Sequence, residues 1–467
     1  MIRRLQRILI ANRGEVVQSI TKSLHEMGRE AIAVYELPDS ETLFIRRADA
    51  AIPIGAGPLT DYLNSEKIIR AAKEAGADAI HPGYGFLSES AEFAAACRDN
   101  GLVFIGPPPE VMRRLGDKVM AKEMMRQERI VTIPGTEVLA SGPAGVAEAL
   151  AFAEAVGYPI LLKAVEGGGG RGIREVKDAA HLEQQLHHAR REALLAFNDD
   201  AVYAEKGIVA PRHVEIQILA DAYGKVIHLG SRDCSIQRRH QKLLETAPAA
   251  AVPGDIMDAM CRTAVRVARH AGYVNAGTVE FLYDEQQGEF WFMEVNPRLQ
   301  VEHSVTEMVT GIDIIAKQIE IAEGRPLALE QEDVAAEGCA IHVRVNAEDP
   351  GNHFWPEGGK TVVGFRPPAG PGIRLDGVIR EGYTVPTVYD SLLVKLTVWG
   401  SSWTEAVDRL KEALEKFVIV GLKTTIPFYV AICNEPDFRA GRFDTSYLDL
   451  HGDLFDPARH IAANFHP

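Results

Sequence analysis

Cysteine is scarce. Five residues in 467 (Cys97, Cys234, Cys261, Cys339 and Cys433) lie far apart, odd in number and without a CxxC pair. That spacing suits neither a disulfide frame nor a zinc site, and reads as reduced thiols of a cytoplasmic protein. No apolar stretch reaches the roughly 18 residues of a membrane span, and the run 8–11 is too short for a signal-peptide core. No membrane partner is therefore expected. Excess positive charge is missing too: 50 Lys and Arg stand against 65 Asp and Glu, for a net charge of −15. That balance argues against a nucleic-acid or anionic-membrane partner, since both need a positive surface. An anionic substrate could bind only where positive charge is gathered locally. There is also no internal repeat, low-complexity run or long disordered linker.

The length exceeds what one hydrophobic core usually organises, so two to four domains are expected. With 46% apolar and 25% charged residues, the balance is that of an ordinary globular protein. The first hundred residues alternate strand and helix: strands at 7–11, 31–35 and 78–81, helices at 15–27 and 65–75. Such a βαβ series predicts a parallel sheet. A Met-rich charged stretch (111–128) follows, then a small α+β segment at 130–206. Long alternating strands are predicted at 213–220, 225–231, 277–283 and 289–296. An acidic linker near 330–338 opens a third, strand-rich part. In it, Ser402-Trp403-Thr404-Glu405 reads as a helix-capping box with Ser402 as N-cap. Val407, Leu410, Leu414 and Phe417 would form the core stripe of that helix.

Gly167-Gly168-Gly169-Gly170-Arg171-Gly172 contains the GxGxxG spacing, yet strand-like residues 173–176 follow it where a dinucleotide site needs a helix. A glycine link between two strands is either a flexible surface hairpin or a flap whose amides close over phosphate. Lys163 upstream favours phosphate. In Glu294-Val295-Asn296-Pro297-Arg298-Leu299-Gln300-Val301-Glu302 every second residue is polar, so an extended chain puts the polar set on one face. Simple alternation at a solvent-facing sheet would explain the polarity. It would not select two glutamates and an asparagine, the hard oxygen ligands Mg²⁺ prefers, beside an arginine fork for a small oxyanion. Glu280 on the partner strand can share that face. The cluster Gln237-Arg238-Arg239-His240-Gln241-Lys242 is either a solvated face or an anion site, and local positive charge in an acidic protein favours the latter. Cys234 reads as a packing residue. His213, taken alone, reads as a satisfied or exposed histidine.

These segments together resemble the biotin carboxylase family, over nearly the whole chain. The carrying runs are Ile-Ala-Asn-Arg-Gly-Glu (10–15), His-Pro-Gly-Tyr-Gly-Phe-Leu-Ser-Glu (81–89), Gly-Asp-Lys (116–118), Pro-Arg-His-Val-Glu-Ile-Gln (211–217), Arg-Asp-Cys-Ser-Ile-Gln-Arg-Arg-His-Gln-Lys (232–242), Glu-Val-Asn-Pro-Arg-Leu-Gln-Val-Glu-His (294–303) and Arg-Val-Asn-Ala-Glu-Asp-Pro (344–350). The resemblance implies an α/β and α+β ATP-grasp fold. Its parts would be an N-terminal parallel pre-ATP-grasp domain (1–117), an ATP-grasp domain (118–334) with a mobile lid at about 132–206, a strand-rich C-terminal domain (335–450) and a tail (451–467).

It further implies that Lys118, Lys163, Gly169, Gly170, His213, Gln237 and His240 face ATP, with Glu205, Lys206, Ile208 and Leu282 around adenine. Glu280, Glu294 and Asn296 would hold Mg²⁺ or Mn²⁺. Lys242, Arg298, Gln300, Val301 and Glu302 would surround bicarbonate, and Tyr84 and Arg344 would meet biotin. Glu302 would be the general base and Arg344 the donor to the biotin oxyanion; Arg298 and Lys242 join them as the catalytic set. The chain has no Met-Lys-Met attachment site and no room for a carboxyltransferase. Biotin is therefore expected on a separate carrier protein. The second expected partner is a carboxyltransferase subunit, and the expected assembly is a homodimer. Acetyl-CoA carboxylase is the expected setting, with pyruvate or propionyl-CoA carboxylase as alternatives. A biotin-independent ATP-grasp ligase and a non-catalytic homologue are the rivals. Departures from the family pattern are Val165-Glu166 beside the flap, Ser304 in place of a proline, Ser19 where a dimer-contact arginine is usual, and His342 in place of an acidic residue.

Overall fold

The computed structural model describes residues 2–455, apart from 58, 117, 167–171 and 378 and the side chains of Lys118, Val119 and Lys122. The first hundred residues form a parallel sheet in the order Ala50–Gly55, Glu30–Glu36, Arg7–Ile10, Ala79–His81, Val103–Phe104. Ile8, Leu9 and Ile10 are wholly buried, as expected of a strand covered on both faces. The flanking helices begin where the sequence offers caps: Asn64 accepts from Lys67 N at 3.0 Å and Ser90 from Phe93 N at 3.1 Å, each satisfying an otherwise orphan donor.

Residues 135–206 fold as a separate four-stranded antiparallel sheet in the order Gly135–Val138, Val202–Lys206, Ile160–Ala164, Ile173–Val176. The helices Pro143–Val156 and Ala179–Phe197 back it, closing a core of Leu162, Leu182, Leu186 and Val202. The glycine run thus joins two antiparallel strands, which bears out the rejection of a dinucleotide fold; Gly169 and Gly170 themselves lie outside the described residues.

The largest element is an antiparallel sheet of eight strands. Its order is Glu289–Asn296, Asn275–Asp284, Arg212–Ala220, Val226–Arg238, Gln241–Ala247, Cys339–Asn346, Leu392–Gly400, Ile373–Gly377. The acidic linker does not interrupt it, for Glu245 lies directly opposite His342 across the boundary. One apolar cluster continues from Ile8 and Ile10 through Leu244 and Val343 to Leu396 and Leu410. In the helix Trp403–Lys416, Ser402 accepts from Glu405 N, but the Glu405 carboxylate bonds Ser401 rather than Ser402, so only half of the expected capping box forms. Among the described residues no helix is long and apolar enough to cross a membrane.

Two expectations are corrected. The strand predicted to end at 231 runs to Arg238 and turns sharply at Arg239 and His240, both with left-handed backbone (φ 51° and 62°). Gln237 therefore lies opposite Lys242 on the returning strand. The strand predicted at 289–296 has those bounds, but the polar stripe that begins in it does not stay extended to 302. Pro297 has no N–H for the ladder, the strand stops at Asn296, and Glu302 becomes the N-cap of the helix His303–Thr310.

Candidate active site

Strand register builds the centre of the site. Glu294 lies opposite Glu280, Glu280 opposite Glu215, and Glu215 opposite Arg232, so adjacent strands bring three carboxylates into one row. The polar partners they need come from the same sheet. Lys242 Nζ contacts Glu215, Glu280 (2.9 Å) and Glu302 (3.1 Å). Arg232, wholly buried, donates to Glu215 (2.8 Å), Gln217 (2.7 Å), Thr278 (2.9 Å) and Thr306 (3.1 Å). Glu280 also accepts from Asn296 at 2.6 Å and pairs with His213 Nε2 at 2.9 Å, while Gln237 bonds the other ring nitrogen of His213 at 2.7 Å. His213, read from sequence as ordinary, is thus fixed between Gln237 and a carboxylate.

Electrostatics separate the carboxylates. Burial alone would raise Glu302, but Lys242, Arg344 and Arg232 hold it well below the usual carboxylate range. Glu280 is likewise buried and likewise held down, by Lys242 and His213. Glu215 bears the crowding: burial and the neighbouring Glu302 and Glu280 push it up to about 7 against Lys242 and Arg232. Lys242, desolvated but ringed by these carboxylates, is held well above its ordinary value. Ligand atoms of His213, Glu215 and Glu280, and of Glu215, Cys234 and Glu302, fall within 4.8 Å of one another. Cys234 is a buried packing residue whose thiol burial pushes well up.

Past Pro297 the chain folds over this row. Arg298 donates to Glu89 (2.7 Å), to Asn296 Oδ1 (3.1 Å) and to Gln300 Oε1 (2.9 Å). Gln300 is buried, and its Nε2 has no hydrogen-bond partner among the described residues. That donor sits on the segment carrying Arg298 and Glu302, and suits a small oxyanion. Val301 is half-buried beside it. Arg344 grips Glu245 by two bonds (2.9 and 2.5 Å) and reaches Glu302 at 3.2 Å. The departure His342 is wholly buried and hydrogen-bonded to the other Glu245 oxygen at 2.6 Å. Tyr84 comes from the first hundred residues, its hydroxyl bonded to Glu15.

Of the expected nucleotide residues, Lys163, Glu205 and Lys206 lie on strands of the smaller sheet and His213, Gln237 and Leu282 on strands of the large one. Lys163 pairs with buried Glu205. Lys206 turns its amine to the Gly157 carbonyl (3.2 Å), and Ile208 and Leu282 are half-buried, Leu282 opposite His213. His240 is lowered by burial and by the Lys163 charge. Lys118 opens the helix Lys118–Gln127, with its side chain outside the described residues. Of the departures, Glu166 is exposed, Ser304 is buried and bonds Thr397 at 2.7 Å, and Ser19 bonds the Glu15 carbonyl at 3.3 Å.

Family models match nearly the whole length. They are described as biotin carboxylase, N-terminal domain (4–112), carbamoyl-phosphate synthase L chain, ATP binding domain (117–330) and biotin carboxylase C-terminal domain (342–450). The biotin carboxylase of Nostoc sp. is 48% identical over 446 residues, 95% of this chain and 99% of its own. The chain belongs to the biotin carboxylase family. Pyruvate carboxylase 1 of Caenorhabditis elegans, a longer protein, is 44% identical over 460 residues, 97% of this chain and 39% of its own. Among solved structures, the biotin carboxylase domain dimer of Hydrogenobacter thermophilus 2-oxoglutarate carboxylase, in complex with MgADP, ADP and bicarbonate, superposes with a TM-score of 0.93. It is 44% identical and covers 97% of this chain and 99% of that one. The ATP-grasp fold expected from the sequence is the fold found.

Several residues of the cluster escaped the sequence reading. Glu215 and Gln217 alternate with His213 on one strand, a period-two signal equal to the one noticed at 294–302. Arg232 and Glu245 gave no such signal, because their partners are distant in sequence and meet them only through sheet register.

Proposed function

We propose that this chain is an ATP- and bicarbonate-dependent biotin carboxylase acting on biotin held by a separate carrier protein. The observation that carries the reading is Glu302, a buried carboxylate kept ionised between Lys242 and Arg344. A general base must be charged and within reach of its proton. With bicarbonate among Lys242, Arg298, Gln300, Val301 and Glu302, Glu302 takes the bicarbonate proton and the freed oxygen attacks the γ-phosphorus of ATP. ADP leaves and carboxyphosphate forms. Carboxyphosphate splits to CO₂ and phosphate, and the phosphate takes the ureido proton of biotin. The biotin nitrogen then bonds CO₂ while Arg344 donates to the ureido oxygen and Tyr84 packs against the ring.

Lys118, Lys163, Gly169, Gly170, His213, Gln237 and His240 surround ATP in this reading, with Glu205, Lys206, Ile208 and Leu282 at adenine. Glu280, Glu294 and Asn296 would hold Mg²⁺ or Mn²⁺; two facing glutamates and an amide are the hard donors such an ion requires. The ion neutralises phosphate charge when bound. Residues 132–206 act as the lid that keeps carboxyphosphate from water, within domains bounded at about 117, 334 and 450.

Working partners are a biotin carrier, a second copy of this chain and a carboxyltransferase subunit, in the cytoplasm. Acetyl-CoA is the proposed final acceptor, pyruvate or propionyl-CoA the alternatives. Relatives named for pyruvate and 2-oxoglutarate fit an acceptor chosen by the carboxyltransferase. Labelled bicarbonate supplied with ATP, Mg²⁺ and a biotinylated carrier tests the proposal. Label on the carrier, lost with Glu302→Gln, supports it; ATP cleavage that never labels the carrier favours a biotin-independent ligase.

A further inference from the structure

Lys395 has no part in the roles above. It sits in the apolar strand Leu392–Gly400 and is wholly buried, a costly place for an ammonium unless partners hold it there. Burial pulls the amine down, and Asp376 and Glu15 oppose that. Its Nζ lies 3.3 Å from the Tyr84 hydroxyl and 3.3 Å from the Val301 carbonyl oxygen, and 5.3 Å from the centre of the Tyr84 ring. One ammonium thus touches the residue read as facing biotin and the segment read as facing bicarbonate.

The surroundings leave Tyr84 little freedom apart from this contact. Its hydroxyl donates to the buried Glu15 at the start of the helix Glu15–Glu26. Asn12 Nδ2 donates to the carbonyls of Pro82 (2.7 Å) and Tyr84 (2.8 Å). Gly83 has φ +65°, where a side chain is strained, and a Cβ there would press on Asn12 Nδ2 at 2.9 Å, so glycine suits the tight path before Tyr84.

We propose that Lys395 is a positioning residue, tying Tyr84 to Val301 and thereby setting the biotin ring against the segment that holds bicarbonate. The proposal rests on the reading of Tyr84 as a biotin contact. Lys395 touches neither substrate; it acts through Tyr84 on one side and the 298–302 segment on the other.

A double-mutant cycle of Lys395→Met and Tyr84→Phe, assayed with free biotin, ATP, bicarbonate and Mg²⁺, tests this. Losing one hydrogen bond to a charged group corresponds to on the order of tenfold. Lys395→Met should therefore raise the KM for biotin about tenfold and leave the KM for ATP unchanged. The double variant should fall short of the product of the two single effects, since both changes break the Lys395–Tyr84 contact while each also breaks one of its own, to Val301 or to Glu15. Effects that multiply in the double variant would overturn the proposal, as would a folded Lys395→Met with normal KM for biotin. Lys395→Gln, which retains a donor, should fall between wild type and Met; if the methionine variant does not fold, the glutamine variant is read in the same cycle. Tyr84→Ala, which removes the ring, with no effect on biotin would sink the biotin reading of Tyr84 itself, and this proposal with it.

Discussion

Replacing Lys242 by methionine removes one ammonium from the middle of three carboxylates. Lys242 is 16% exposed and touches Glu215, Glu280 and Glu302. Without it, Glu215 keeps Arg232, Glu302 keeps Arg344, and Glu280 keeps His213 and Asn296. Breaking a buried pair by removing one partner costs about 3–5 kcal/mol, and that range is expected near pH 8. The pH dependence follows from the directions of the shifts. Glu302 and Glu280, held well below the usual range, add stability above the ordinary carboxylate pKa of about 4.3, and lose it only as pH falls through their lower folded values. Glu215, raised to about 7, favours the folded state fully below that ordinary value and stops doing so as pH rises through 7. Without Lys242, Glu302 and Glu280 behave more like Glu215. The stability gap between wild type and variant should therefore be largest near pH 8 and narrow towards pH 5, as the variant's carboxylates take up protons. Urea unfolding followed by circular dichroism at pH 5, 6.5 and 8 measures it. A gap independent of pH, or one below about 1 kcal/mol throughout, would refute Lys242 as the shared counter-charge.

Arg344→Ala should lower biotin-dependent turnover by roughly 10²–10³ with a much smaller change in the KM for ATP, as steady-state kinetics would show. His342→Leu removes the donor to the buried Glu245 oxygen and should cost about 1–3 kcal/mol in urea unfolding; His342→Gln should recover part of it. Leu410→Ala, in the wholly buried stripe of the helix Trp403–Lys416, should cost about 2–5 kcal/mol while leaving the KM for bicarbonate unchanged. Chelating Mg²⁺ should abolish turnover, and Glu294→Gln should raise the Mg²⁺ concentration needed for half activity.

The N-terminal parallel sheet was legible because its strands are short apolar runs bounded by turn residues, and such a pattern depends on local burial alone. The stripe from Glu294 was legible to Asn296, where Pro297 ends the strand; placing Glu302 needed the helix it caps. The turn at Arg239 and His240 was missed because tight hairpin turns with left-handed residues usually announce themselves with Asn or Gly. The strand before it was not carried past Cys234, since the basic run from Gln237 looks like a solvated face when its partners are out of view. Lys395 was hidden in the same way: a lone lysine in an apolar strand has no meaning until Tyr84 and Val301 arrive from elsewhere in the chain.

The most direct test of the central claim uses bicarbonate labelled with ¹⁸O, with ATP, Mg²⁺ and biotin, and follows the label into the phosphate released. If a bicarbonate oxygen freed by Glu302 attacks the γ-phosphorus, each phosphate carries one labelled oxygen, and Glu302→Gln lowers the amount of labelled phosphate by roughly 10²–10⁴. Unlabelled phosphate, formed at the full rate of biotin-dependent ATP cleavage, would show that water is the attacking group and would contradict the role assigned to Glu302.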